Sequence, residues 1–531
     1  MPIVNCRNSG SRIASAICIW TLMTSLNLAQ NPQPGTGQPG AAGPAAAAKP
    51  AEPGAAAPAA VAQPQDDPGL EPAEPAAAPA AGVAEPAKPK VAEQKPFVTD
   101  PVDENLKRRR SDVVKNLRDN SFQAGQQQAF EEYYNKYAFP RWTQENYQNA
   151  LPDFRKDLRV EAQAGKGGGP PHDRLIQLSL AYLTKLVKGH YHPAVRVNAT
   201  LALGDLYAKE AQDVRTPPVP LPAALSLLLE LVNSAEPTVL DAIRVAALVG
   251  LNSHAILGIA DQQVVSQQVI PSMLKVATTK VAPGRSAEGH AWIRALACDV
   301  LGELRSPGQD GEVAKALAEI AGDSSASFIT RSAASRALGK LNYRGVAVNA
   351  TELASQVGKL ALDALEAEAD REIPDFEQLL AEKKGTAATM GMGMPGMEGM
   401  MMDPMMMGAP GMPGMGAPPK QEDELKELEK EHSLVLRRRL MDRMAAAISG
   451  VSGGADEQSK GIVAAAVEPQ QKQFVDALAQ KLDAVKNLCS NDDLGYEPLV
   501  SQLKEQAKQM RTAVDKPAAA GSNAGAPAPA T

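Results

Sequence analysis

The sequence predicts an all-α fold of stacked helix pairs, and three observations carry that prediction. Between Asp173 and about Leu380 the apolar residues recur at helical spacing, strand-like alternation is nearly absent, and one local pattern returns three times in the same register. Around this zone Ala, Pro, Gly and Met crowd into separate stretches, so the ordered part of the 531-residue chain is much shorter than its length.

Residues 1–29 have the order of a secretory leader. Arg7 and Arg12 come first with no acid, then the apolar run Ile13-Ala-Ser-Ala-Ile-Cys-Ile-Trp-Thr-Leu22, then a small-residue end at Ala29. An uncleaved membrane anchor is the alternative, although Thr21, Thr24, Ser25 and Asn27 make a weak span beside the ~20 apolar residues a bilayer needs. Ile17 before Cys18 argues against lipid attachment. The expected location is therefore extracytoplasmic, periplasmic or secreted. Residues 30–96 are almost entirely Ala, Pro, Gly and a few acids. They lack the apolar surface to offset ordering entropy and read as a disordered, extended linker.

Residues 97–172 read as a helical, aromatic-rich N-terminal cap. Between Phe122 and Phe154 lie Phe130, Tyr133, Tyr134, Tyr137, Phe139, Trp142 and Tyr147, nearly half of all the aromatics in the chain. Such a cluster is expected to form the core of a terminal helical pair, with a ligand groove as the alternative. Lys107-Arg-Arg-Arg110 is flanked by Asp103, Glu104 and Asp112 and reads as a solvated helix face. Gly165-Lys-Gly-Gly-Gly-Pro-Pro171 lacks the Gly-Lys-Ser/Thr ending of a phosphate loop.

Residues 173–385 hold the repeat, Arg-x-x-Ala-x-x-x-Leu-Gly-x-Leu. It runs Arg196, Ala199, Leu203, Gly204, Leu206, then Arg294, Ala297, Leu301, Gly302, Leu304, then Arg331, Ala334, Leu338, Gly339, Leu341. A weaker copy has Arg244, Ala247 and Leu251, with Asn252 at the glycine position. Successive arginines are separated by 48, 50 and 37 residues, roughly the period of two-helix units. Ala and Leu fall on one helical face, the alanine allowing close approach and the leucines filling the gap, while glycine ends or bends the helix beside that contact. Other helices are marked by Val313, Leu317 and Ile320, and by Pro222 opening a helix that buries Leu225, Leu228, Leu229 and Val232.

This stretch resembles the HEAT-repeat family, whose second helices carry Pro-x-Val-Arg-x-x-Ala-x-x-x-Leu-Gly; Pro193-Ala-Val195-Arg196 is the best match. Ala291 and Phe328 replace the proline in later copies. The resemblance covers about 200 residues and implies a HEAT-like α-solenoid that binds protein partners along an extended surface.

Residues 386–420 read as a disordered Met/Gly/Pro-rich loop: twelve of the eighteen methionines lie between Met390 and Met415. Clustered thioethers are soft ligands suited to Cu(I), so copper binding is the alternative to an inert loop. Residues 421–514 follow as C-terminal helices. Leu425, Leu428, Leu436, Leu440 and Met444 point inward on the first, and Phe474, Leu478, Leu482, Val485, Leu488 and Cys489 on the second. Leu499, Val500 and Leu503 begin a third. They are expected to fold back as a cap or extra pair, with a coiled-coil arm as the alternative. Residues 515–531 read as a disordered tail.

No catalytic, cofactor-binding or metal-binding residues are expected. His172, His190, His192, His254, His290 and His432 lack metal-motif spacing, and His190-x-His192 reads as an exposed loop pair before Pro193. Cys298 and Cys489 read as single core residues. Asp363, Glu366 and Glu368 read as solvated charge, and Asn349 with Glu352 as a helix cap. The net charge of −7, two units more negative once Arg7 and Arg12 are removed, argues against a nucleic-acid surface. The sequence thus points to an exported, non-enzymatic scaffold with no cofactor. HEAT-like lyases and glycosylases supply the enzymatic alternative, which acidity and export oppose.

Overall fold

In the computed structural model the described residues are 96–213, 215–235, 239–281, 285–391, 421–454 and 460–515, and all of them lie in one unit, Ala92–Thr531. The expected leader, almost all of the expected linker, the methionines from Met392 to Met415 and the tail from residue 516 lie outside the described residues.

The fold is all-α apart from one short hairpin. Residues 97–100 enter as a strap. Val98 N donates to His190 O, Phe97 packs against the rings of His190 and His192, and Asp100 accepts from Tyr182 and from Lys185 Nζ at 2.8 Å. His190 is exposed, whereas the Nδ1 of His192 accepts from Ala194 N and caps the next helix. A 3-10 turn, Glu104–Arg109, leads into α1 (Arg110–Asp119), followed by α2 (Gln126–Tyr133) with a wider final turn at Tyr134–Ala138. The aromatic cluster is a core: Phe130, Tyr133, Tyr134, Tyr137, Phe139 and Trp142 are all buried, and α3 (Leu151–Ala164) adds Leu151, Phe154 and Leu158.

From here the chain runs in pairs. Helix α4 (Pro170–Lys188) packs on α5 (Pro193–Gly204). The hairpin β1 (Tyr207–Lys209) and β2 (Val219–Pro220) precedes α6 (Pro222–Asn233), which packs on α7 (Asp241–Leu257). A helical lead-in at Gln262–Val269 continues into α8 (Ile270–Thr278), which packs on α9 (Ala287–Glu303). Helix α10 (Glu312–Gly322) pairs with α11 (Phe328–Lys340). Next come α12 (Ala350–Ala367) and α13 (Ile373–Gly391), then, beyond residues 392–420, α14 (Gln421–Ser452). The second helices form a consecutive row, α5 on α7, α7 on α9, α9 on α11 and α11 on α14. Since α12 also packs on α14, these two helices make one more pair, with α13 and the methionine-rich stretch inserted between them.

The reason for this packing is visible in the buried residues. Leu225, Leu228, Leu229 and Val232 on α6, and Val313, Leu317 and Ile320 on α10, are all at most 6% exposed. Each such side chain removed from water stabilises the fold by roughly 1.5–3 kcal/mol. Ala199, Ala247, Ala297 and Ala334 are fully buried at the crossing points. Helix α14 buries Leu436, Leu440 and Met444, while Leu425 and Leu428 are only half-buried. Helices α15 (Pro469–Cys489) and α16 (Tyr496–Asp515) fold back onto α12 and α14 through Leu478, Leu482, Val485, Leu499 and Leu503, which removes the coiled-coil arm. Asn349 accepts from Glu352 N at 3.2 Å and caps α12.

Two expectations need correction. Helix α13 continues to Gly391, beyond the boundary expected at 385, because Ala387, Ala388 and Met390 are good helix formers. Asp363, Glu366 and Glu368 are not merely solvated: Asp363 accepts from Arg331 at 2.6 Å, Glu366 from Arg511 at 2.6 Å, and Glu368, 1% exposed, faces Arg439 and Arg443 of α14. The basic run is a solvated face as expected, with Lys107, Arg108 and Arg110 exposed, and it also carries ion pairs, Arg109 with Glu132 and Arg110 with Asp157 and Glu161.

Candidate functional site

The repeated arginine has a structural task that its spacing alone did not reveal. Arg196 Nε donates to Val187 O at 2.9 Å, Arg244 Nη2 to Ser234 O at 2.6 Å, Arg294 Nε to Ala277 O at 2.6 Å and Arg331 Nε to Ala321 O at 2.9 Å. Each acceptor is the last-turn or capping carbonyl of the preceding helix. Carbonyls there have no partner within their own helix and carry the negative end of its dipole, so a guanidinium is a suitable cap. On α14 the corresponding residue is Arg443, which reaches the C-terminal end of α12 through Glu368 Oε1 at 2.8 Å.

The glycine also does more than end a helix. A Cβ built on Gly204 would lie 2.5 Å from Gly250 Cα, and one on Gly302 would lie 2.8 Å from Ala337 Cα; one on Gly339 would collide with the backbone of Ser449. In each case the contact falls on the next second helix, six residues beyond its own repeated arginine. The glycines are therefore points of backbone contact between successive second helices.

With these faces used for packing, one side of the row stays open. It presents half-buried Val197 and Leu201 on α5, Val245 and Val249 on α7, Asp299 and Glu303 on α9, and Arg336 and Lys340 on α11. The first part of this face is apolar. The second is charged and cross-linked, Asp299 to Arg336 at 3.7 Å and Glu303 to Lys340. Burial pushes the Asp299 carboxyl above its ordinary range despite Arg336 and Lys340. Exposed Leu240 and Ile256 flank α7.

A second feature is a cavity of about 190 Å³ among the aromatics, lined by Lys107, Arg110, Tyr133, Tyr134, Tyr137, Arg141, Trp142, Phe154, Asp157 and Glu161 among others. Glu161 is buried and accepts from Tyr134 Oη at 2.8 Å and Arg110 Nε at 3.1 Å. Desolvation pushes its carboxyl up, against the pull of those two donors. The rings form a core and also border this cavity. The engagement of Arg110 was not legible because its acidic partners, Asp157 and Glu161, lie on α3, about 50 residues away.

The expected inert positions are placed as follows. Cys298 and Cys489 are free and buried, their thiols pushed up to about 12 and about 11, so neither is a ready nucleophile. His172 is buried with its Nε2 3.9 Å from Glu210 Oε1, a partner the local sequence gave no sign of. Among the described residues no group of three or more His, Cys, Asp or Glu is arranged to hold a metal, and no helix is long and apolar enough to cross a membrane. Comparison of the chain with family models, curated proteins and solved structures gave no match in any of the three.

Proposed function

We propose that the chain is an exported HEAT-like α-solenoid scaffold that holds one or more envelope or extracellular proteins along the open face of α5, α7, α9 and α11. The observation that carries this reading is the equivalence of the second helices. Four of them use one arginine to cap the preceding helix, and the glycines at positions 204, 302 and 339 bring each of their helices against the next. Recurring joints of one kind between successive pairs are what a repeat array requires, since each pair then buries its surface against its neighbours. An array of this kind offers an extended row of side chains from several helices, a geometry suited to another protein rather than to a small substrate. The half-buried valines and leucine of α5 and α7 supply an apolar part and the paired charges of α9 and α11 a polar part beside it, and protein interfaces combine both.

The test uses the chain without residues 1–29 as bait on the envelope fraction of its own host. A saturable partner is expected, and its retention should fall by about tenfold or more when Val197 and Val245 are both replaced by Glu. Recovery of the same proteins at equal yield by that variant, with unchanged thermal unfolding, would remove the open face as the binding surface. Sequencing the N-terminus of the chain purified from the host should find Gln30 first; an intact Met1 would remove the cleaved-leader reading.

A further inference from the structure

We infer that the aromatic cavity bounded by α1, α2 and α3 is a binding site for a carboxylate borne on a small apolar body about the size of one amino-acid residue, with Arg141 as its cation. The inference stands apart from the scaffold reading, because it concerns a different region and a different ligand.

The argument begins with how Arg141 is held. Its guanidinium lies 4.4 Å from the ring centre of Phe154 and 5.1 Å from those of Tyr137 and Tyr147. Three ring faces fix the position of the charge through their quadrupoles but supply no oxygen acceptor. Among the described residues Arg141 forms no ion pair, and its Nε is buried with no hydrogen-bond partner. A buried donor of a charged group with no partner is costly, so an oxygen acceptor brought to Arg141 is favoured. The four arginines capping α4, α6, α8 and α10 each have a carbonyl acceptor.

The other charges of the cavity set the sign of the ligand. Glu161 and Asp157 are both engaged by Arg110, through Nε at 3.1 Å and Nη2 at 3.0 Å, and Tyr134 occupies the second oxygen of Glu161. Lys107 stands at the same cavity and is exposed. Three cations thus face two carboxylates, and the acids are the members already matched. A cationic ligand would compete with Arg141 for the same ring faces, whereas an anionic one meets Arg141 and Lys107.

Size and lining choose the rest. A volume of about 190 Å³ is below the roughly 300–1,000 Å³ of ordinary small-molecule sites and suits one side chain or one chain end. The lining is polar where the charged groups stand, and the rings of Tyr133, Tyr137, Trp142 and Phe154 supply the aromatic surface on which a hydrocarbon body behind the carboxylate would pack. A guanidinium matches the two oxygens of a carboxylate with parallel donors.

The experiment is a ligand-observed NMR titration of the full chain with N-acetylphenylalanine, set beside its carboxamide and inorganic phosphate. Saturable binding of the carboxylate is expected, at least about tenfold tighter than the carboxamide or phosphate. Arg141→Gln should weaken it by about tenfold or more, and Lys107→Glu, at an exposed position, by a few fold. Pentapeptides with a free or amidated end, and with or without a terminal Glu side chain, separate a chain-end carboxylate from a side-chain one. Equal binding of acid and amide, undiminished binding to Arg141→Gln, or no saturable binding to the intact chain would overturn the inference. Should Arg141→Gln fail to fold, as read by its circular dichroism melt, unchanged binding to Lys107→Glu would overturn it as well.

Discussion

The row of second helices and the aromatic region before it solve the same packing problem with opposite materials. In the row, Ala and Gly bring helix backbones together until Gly204 meets Gly250 and Gly302 meets Ala337, and each repeated arginine finds a carbonyl. In the aromatic region the large rings of Tyr133, Tyr137, Trp142 and Phe154 leave a cavity between them, and Arg141 rests on rings instead of oxygens. Small residues close a structure and match its polar groups, since backbones then control every distance. Large rigid rings leave gaps, and gaps are where ligands enter.

The sharpest way to break this contrast is at the glycine contacts. Gly339→Val should destabilise the chain by about 3 kcal/mol or more, because the obstructing atoms belong to the Ser449 backbone of α14 and cannot swing away. Urea unfolding measures it, and a variant as stable as the parent would remove close helix approach as the basis of the row. Next in size is the difference between two arginines. Arg331, 3% exposed, bonds both Ala321 O and Asp363, so Arg331→Met should cost about 3 kcal/mol or more. Arg141→Met, which forfeits ring contacts alone, should cost only about 1 kcal/mol. Equal losses would erase the distinction drawn between the two regions.

A smaller effect depends on pH. His254 is fully buried in α7, and burial pushes it down to about 4 from its ordinary 6.5. The unfolded chain therefore takes up a proton between those values that the folded chain refuses. The stability His254 contributes is complete above about pH 6.5 and is lost as the pH falls towards 4. Between pH 7 and pH 5 the parent should lose on the order of 1–2 kcal/mol from this residue, and His254→Gln should show a shallower fall. His172 works the other way, since the Glu210 carboxylate 3.9 Å from its Nε2 raises its pKa; its contribution is present at low pH and lost as the pH rises through the folded value. An identical pH profile in His254→Gln would leave another group responsible. Smallest of all, Lys340→Ala should cost about 0.5 kcal/mol or less, being half of a partly exposed ion pair with Glu303. A loss near that of Arg331→Met would show the open face to be a structural seam.

Much of the helical scheme was legible in the sequence because helices announce themselves locally. Pro222, Pro193 and Asn349 mark starts, and leucines three and four apart mark the buried side. The pairing of α12 with α14 was not legible, because residues 368–420 intervene and Arg443 lacks the following Leu-Gly. The acids of α12 were misread for a related reason. Glu368 looks like any surface glutamate until α14 places Arg439 and Arg443 beside it. In the aromatic cluster the sequence located the rings but not their separation, which fixes whether they enclose a cavity.

By itself, then, the sequence determined that the chain is helical, where the helices lie and which face of each is apolar, because periodicity and caps act within a few residues. Only the tertiary structure decided what the arginines cap, what the glycines touch and that Arg141 meets rings rather than carboxylates. Those outcomes depend on distances between residues tens of positions apart, and such distances are set by the summed packing of many side chains, which no short stretch of sequence encodes.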